Sequence, residues 1–200
     1  MPVRPQPERD SETGTLVNRT IPLILAVALF MENMDSTVIA TSLPAIANDI
    51  HTSPIALKLA LTAYLVSLAI FIPISGWMAD RFGAKSVFRA AIAVFIVGSI
   101  ACALSGSLPA FVVSRFLQGI GGAMMTPVGR LVLVRATPKS ELVAAMSWLT
   151  VPALVGPLVG PPVGGFITTY FTWHWIFLIN VPIGLIGIWL ATRFLPETEP

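Results

Sequence analysis

Gly156-Pro157-Leu158-Val159-Gly160-Pro161-Pro162-Val163-Gly164-Gly165 lies between two hydrophobic runs, and its reading decides the fold. Gly156, Gly160 and Gly164 recur every fourth residue. On a helix they share one face with almost no side chains, so a neighbouring backbone can approach closely. Pro157, Pro161 and Pro162 remove backbone donors in the same turns. Lipid-exposed backbone does not tolerate that loss, so the segment is expected to be buried against other helices of a polytopic membrane protein.

Composition points the same way: 55% of residues are hydrophobic and 11% charged, against roughly 25% charged in a soluble domain. A membrane-crossing helix needs about 20 apolar residues. The candidates are Thr20–Leu43, Leu57–Met78, Ala90–Leu104, Leu108–Leu131, Leu142–Tyr170 and Trp175–Phe194, the third extending into the residues before Ala90. The expected fold is therefore an all-α integral membrane bundle of six transmembrane helices over residues 20–195. A disordered cytoplasmic tail is expected over 1–19 and the start of a linker over 196–200. Pro44, Pro54, Pro109 and Pro138 punctuate the turns or open the next helix.

The charges are placed asymmetrically. Of 12 Lys and Arg, all but Lys58 and Arg115 fall in the amino-terminal tail, in the loop after span 2, in the segment after span 4 or at the carboxyl end. The alternate loops, around Asn48, Gly106 and Thr172, hold none. The positive-inside rule then places both termini in the cytoplasm, a parity that six spans satisfy. The single cysteine, Cys102, lies mid-span and reads as a small core residue.

Several polar residues interrupt the apolar runs. Glu32 and Asp35 are three apart, so both face one side of span 1, with Ser36 and Ser42 on the same stripe. An ionised carboxylate at the centre of a span costs about 2.5–3.5 kcal/mol on insertion scales, which marks the pair as a proton pickup and release site. Arg115 in span 4 shares a face with Gln118, Gly119, Gly122 and Thr126, and that face should point to a cavity or to span 1. A static polar plug neutralised by Arg115 is the blander alternative. Met31 and Met34, with Phe30, Met124 and Met125, would give an adaptable apolar cavity wall or ordinary core. Trp173 and Trp175 read as interfacial anchors, and neither His51 nor His174 has a companion that suggests a metal site. No phosphate-binding loop or dinucleotide fingerprint is present, and no nucleophile, base and orienter stand in readable order, so neither an enzyme, a cofactor nor a nucleic-acid partner is expected.

Five strings resemble the major facilitator superfamily. Gly76-Trp77-Met78-Ala79-Asp80-Arg81-Phe82-Gly83-Ala84-Lys85 resembles its loop signature, with Met78 in place of Leu and Ala84 in place of the first member of the basic pair. Physically, Asp80 could receive backbone N–H groups at a helix end and bind the flanking cations, a latch that opens when domains rock; Gly76, Asp80, Arg81, Gly83 and Lys85 are then gating residues. Asp35 with Thr37 and Leu43-Pro44 resembles the first-helix signature of the fourteen-span drug exporters. Arg115-Phe116-Leu117-Gln118-Gly119-Ile120-Gly121 resembles a signature whose arginine is linked to proton coupling. Gly156, Pro157, Gly160, Pro161, Gly164 and Gly165 resemble the antiporter motif of the fifth helix, and Trp173 to Pro182 resembles the exporters as well.

The resemblance is to the amino-terminal half of a drug:proton antiporter of the EmrB/QacA type. It implies alternating access between two six-helix halves, coupling through Asp35, Glu32 and Arg115, and a midplane cavity for an amphipathic or cationic drug. Its partners are protons, the drug, the lipid bilayer and a missing carboxyl-terminal half. A metabolite or sugar porter of the same superfamily and a non-transporting half-length membrane partner are the alternatives.

Overall fold

The computed structural model describes residues 11–197, with side chains described from Arg19 onward. Seven helices are present among them: α1 Ser11–Asp49, α2 Pro54–Phe82, α3 Ala84–Ala103, α4 Leu108–Ala136, α5 Leu142–Tyr170, α6 Trp175–Leu178 and α7 Asn180–Phe194. Six stretches are long and apolar enough to cross a membrane, because α6 and α7 together make the single crossing Trp175–Phe194. Residues 1–10 of the expected tail and 198–200 of the expected linker lie outside the described residues. The helix α1 is continuous from Ser11, and its membrane-length apolar portion begins at Arg19.

Local chemistry sets the helix ends. Ser53 caps α2 by accepting from the Ala56 N–H at 3.0 Å, and Pro54 follows at the first helical position, where a missing N–H does no harm. Between α2 and α3 stands one residue, Gly83, at φ 81°, a left-handed conformation that disfavours any side chain. The expected loop after span 2 is thus a single-residue turn. The third span does extend backward, starting at Ala84.

Helix α5 lies along α1, α4 packs between α2 and α3, and α7 closes against α3 and α1. Close backbone approach makes these contacts possible. A Cβ on Gly156 would sit 2.9 Å from the Phe30 carbonyl oxygen, one on Gly160 would strike Thr37 Oγ1, and one on Gly164 would meet Val38 at 2.8 Å. Between α3 and α4, a Cβ on Gly98 would lie 2.5 Å from Gln118 Cα.

One expectation is corrected: the segment 156–165 is buried on its glycine face alone. Pro161 and Pro162 are exposed and Pro157 is half-buried. Each proline sits about 100° or more around the helix from the glycine before it, so the stripe that meets α1 turns the prolines away from it. The carbonyls of Pro157 and Leu158 consequently lack the helix bond that Pro161 and Pro162 cannot donate.

The core has two apolar zones. One holds Leu25, Met31, Phe88, Phe95 and Met125, and the other holds Ile39, Ile46, Phe111, Ile176 and Phe177. On α1 the zones end at Met31 and resume at Val38; on α3 they end at Ile96 and resume at Cys102. The buried polar residues in these intervals are Asp35 and Ser99, with Met34 buried beside Asp35. A polar layer therefore crosses the bundle at mid-height.

Candidate functional site at the buried Asp35–Arg115 pair

Asp35 has no solvent-exposed surface, and neither does Arg115. Arg115 Nη1 donates to Asp35 Oδ2 at 2.7 Å. Two side-chain amides then donate to the other carboxylate oxygen, Oδ1: Gln118 Nε2 at 3.0 Å and Asn180 Nδ2 at 2.8 Å. The same two nitrogens also reach Ser99 Oγ, at 2.7 Å and 3.2 Å. The carbonyl of Gln118 is engaged in turn, accepting from Arg115 Nη1 and from the Cys102 thiol.

Four helices build this layer, and each contributes by spacing. Arg115 and Gln118 are one turn apart on α4, so they meet the same carboxylate from α1. Asn180 opens α7 where the crossing is interrupted after Leu178, and that break aims its side chain inward. Tyr64 of α2 completes the enclosure, its ring centroid 4.4 Å from the guanidinium carbon of Arg115, within cation–π range. Both charges are thus desolvated and face each other, while Arg115 Nε and Nη2 have no hydrogen-bond partner, with the Tyr64 ring beside the guanidinium.

Glu32 takes a different partner. Thr126 Oγ1 donates to Glu32 Oε2 at 2.7 Å, so the expected pair divides: Asp35 binds Arg115 and Glu32 binds the threonine of the same α4. Ser42 is buried and donates to the Val38 carbonyl. Ser36 is exposed, because the next residue after Asp35 turns about 100° off its stripe.

The expected cavity residues also separate. Met31 and Met34 are fully packed core, Gln118 is committed to the polar layer, and Gly119 and Gly122 serve contact with Ser67 and Tyr64 of α2. Thr126 borders a cavity of about 150 Å³ together with Asn33, Arg130 and Thr150, and Met124 lines a separate one of about 420 Å³ with Met78 and Phe82.

At the end bearing the basic turn, Asp80 binds Arg135 Nη2 of α4 at 2.8 Å, and Lys85 binds Glu197 at 2.8 Å. The expectation that Asp80 would hold backbone N–H groups and its sequence neighbours is corrected. It lies in the last turn of α2, where the free backbone groups are carbonyls, so it reaches across to another helix. Arg81, in the same turn, is placed to complement those carbonyls. Gly76 is exposed, with nothing near its Cβ position. The hydrogen bond from Lys85 holds the Glu197 carboxyl below the usual carboxylate range.

At the opposite end, Trp173 is buried rather than interfacial. It packs edge-on to Phe111 and Phe177, and its indole N–H donates to the exposed Asp49 at the end of α1 at 2.9 Å, which gives the polar edge a partner. Trp175 is exposed, as an interfacial anchor would be.

Ser99 and Asn180 escaped the sequence reading, as did the contact of Tyr64. The available signal was Asn180 itself, an amide inside an otherwise apolar run. A serine in a helix gives no comparable signal, since it usually bonds its own backbone.

Residues 25–200 match the Major Facilitator Superfamily. Two bacterial proteins named multidrug resistance protein MdtD are similar to the chain. That of Pectobacterium atrosepticum is 47% identical over 172 residues, covering 86% of this chain and 37% of that protein. That of Salmonella paratyphi B is 43% identical over 174 residues, covering 87% and 37%. The chain thus spans little more than a third of the length of these relatives. Among solved structures, a proton:xylose symporter, XylE, bound to 6-bromo-6-deoxy-D-glucose aligns with a TM-score of 0.82 at 17% identity, over 92% of this chain and 46% of that one. The inward-open xylose transporter XylE from E. coli aligns at 0.78 and 18%, over 89% and 48%. With its apolar crossings, its glycine-seamed packing and these matches, this multi-pass membrane chain belongs to the Major Facilitator Superfamily.

Proposed function

We propose that this chain is the amino-terminal half of a proton-coupled exporter of amphipathic or cationic drugs in the cytoplasmic membrane, of the fourteen-span EmrB/QacA type. The observation that carries the reading is the buried Asp35–Arg115 pair with its amide donors, a titratable group in the middle of the bundle where a charge is costly. Proton uptake by Asp35 would cancel its attraction to Arg115 and loosen α1 from α4, and release would restore it. Glu32, half-buried and held by Thr126, would meet a cationic group of the cargo or a second proton.

A second half is part of the proposal. Only 22% of the apolar stretch of α2 and of α5 is buried, against 61% in α4. The exposed faces include the proline side of α5, whose unpaired carbonyls need partners in a membrane. A carboxyl-terminal bundle docked there would supply them, with drug held between the halves and the Asp80–Arg135 pair opening as they rock. Both termini would lie in the cytoplasm, with the linker beginning near Pro196.

The relatives' names favour drug export over sugar transport, since they share 43–47% identity with this chain while the xylose transporters share 17–18%. The test is dye transport in proteoliposomes under an imposed pH gradient. The chain joined to a carboxyl-terminal half should move a cationic dye against its gradient and stop when a protonophore is added. Residues 1–200 alone should insert without sustained transport. Sustained transport by the chain alone would refute the half-bundle reading, and xylose movement without dye movement would refute the drug reading.

A further inference from the structure

The two amides that serve Asp35 are not equivalent. Gln118 is locked, because its carbonyl accepts from both Arg115 Nη1 and Cys102 Sγ while its nitrogen donates to Asp35 and Ser99. Asn180 donates to the same two acceptors, yet its own carbonyl oxygen is buried with no hydrogen-bond partner. A buried acceptor left unused is costly; Tyr64 Oη, Arg115 Nε and Arg115 Nη2 are also buried without partners, but Asn180 Oδ1 is the unused oxygen whose own amide already touches Asp35.

The consequence appears when Asp35 takes up a proton. An ionised carboxylate only accepts, and every group around it is arranged to donate: Arg115 Nη1, Gln118 Nε2 and Asn180 Nδ2. A carboxylic acid has one O–H that must find an acceptor. Gln118 cannot offer its carbonyl without breaking two bonds. Asn180 can, by turning its amide about the terminal side-chain torsion, which exchanges oxygen for nitrogen in place.

We infer that Asn180 is a positioning residue that turns its amide over with each protonation of Asp35. With Asp35 ionised, Asn180 Nδ2 donates to Oδ1. When an incoming proton forms an O–H bond at Oδ1, the turned amide presents its oxygen to accept that hydrogen. Ser99, whose hydroxyl accepts from both amides in the ionised state, keeps its own hydrogen and donates it to the same Asn180 oxygen. No electron moves; the layer gains one proton and one positive charge.

The titratable and charged groups around Asp35 are Arg115 on α4, Tyr64 on α2, Cys102 on α3 and Glu32 on α1 itself; α5, α6 and α7 present none there. The inference rests on the proton-site reading of Asp35, and one experiment separates the two.

The purified chain in lipid nanodiscs is titrated and followed by infrared difference spectroscopy. Asp35→Asn identifies the acid band in unlabelled protein. Carbon-13 in the asparagine side-chain carbonyls, with Asn180→Ser as the assignment control, identifies the Asn180 band; labelled glutamine identifies Gln118. The Asn180 band should shift with the same midpoint as the Asp35 acid band while the Gln118 band stays fixed. A general field effect of the new charge would move both amides together. An Asn180 band that is constant, or that moves in step with Gln118, overturns the amide turn and leaves Asp35 as the proton site. Absence of any acid band removed by Asp35→Asn overturns both.

Discussion

Asp35 and Arg115 are each tolerable in the bundle because of the other, so their variants should be strongly non-additive. Arg115→Leu leaves an anion buried without its counter-charge and should destabilise the chain by about 3–5 kcal/mol. Adding Asp35→Asn removes that anion and should recover most of the loss; thermal unfolding in detergent reads both. Equal instability of the single and double variants would show that Arg115 acts through packing alone. A second residue-scale test lies outside the membrane layer. Because Lys85 lowers the Glu197 pKa, the contribution of this pair is present above the unfolded carboxylate's pKa and is lost as pH falls through the folded value. Glu197→Gln should therefore unfold slightly earlier than the parent at neutral pH and coincide with it in acid. No difference at neutral pH would show the pair to be idle. The two buried charges were legible in the sequence because a charge in an apolar run is costly and so stands out. Asn180 and Ser99 were not, since neutral polar residues are common in helices and their convergence depends on how α3, α4 and α7 stack.

Helix α5 tests the packing account through a contrast within one motif. A Cβ on Gly160 would collide with Thr37 Oγ1 and approach the Met34 carbonyl, whereas one on Gly165 meets nothing within 4 Å. Gly160→Ala should push α5 off α1 and cost about 1–3 kcal/mol as overpacking, while Gly165→Ala should be near neutral. Comparable losses in the two would show that the motif does not act through α1. Gly83 gives a second element-scale test: at φ 81° any side chain strains the turn, so Gly83→Ala should destabilise the α2–α3 hairpin by about 1 kcal/mol or more. Unchanged stability would contradict the left-handed turn. The glycine stripe was readable because a period of four maps directly onto a helix face. The exposure of the proline side was not, because the sequence of α5 does not say whether a second helix covers its other faces. The same limit hid the burial of Trp173, which packs against Phe111 and Phe177 while its N–H reaches the exposed Asp49.

The number of crossings followed from hydropathy, and the pairing of α1 with α5 across more than a hundred residues became visible only in three dimensions. Orientation in the membrane is testable by labelling. With Cys102 replaced, cysteines at Gly106 or Thr172 should react with an impermeant thiol reagent from outside and one at Lys139 should not, all three sites being exposed. Ala84, on the same side, is fully buried and would be silent in either orientation, so it cannot serve. The reverse pattern would invert the topology. The central claim is that the buried Asp35 carries the proton that drives transport. Its most direct test is pH-gradient-driven dye export by proteoliposomes holding the chain joined to a carboxyl-terminal half, compared with its Asp35→Asn variant. That substitution keeps the side chain's shape and removes its titration. The account predicts that the variant inserts and binds dye but exports none against a gradient; export at the parent's rate would contradict it.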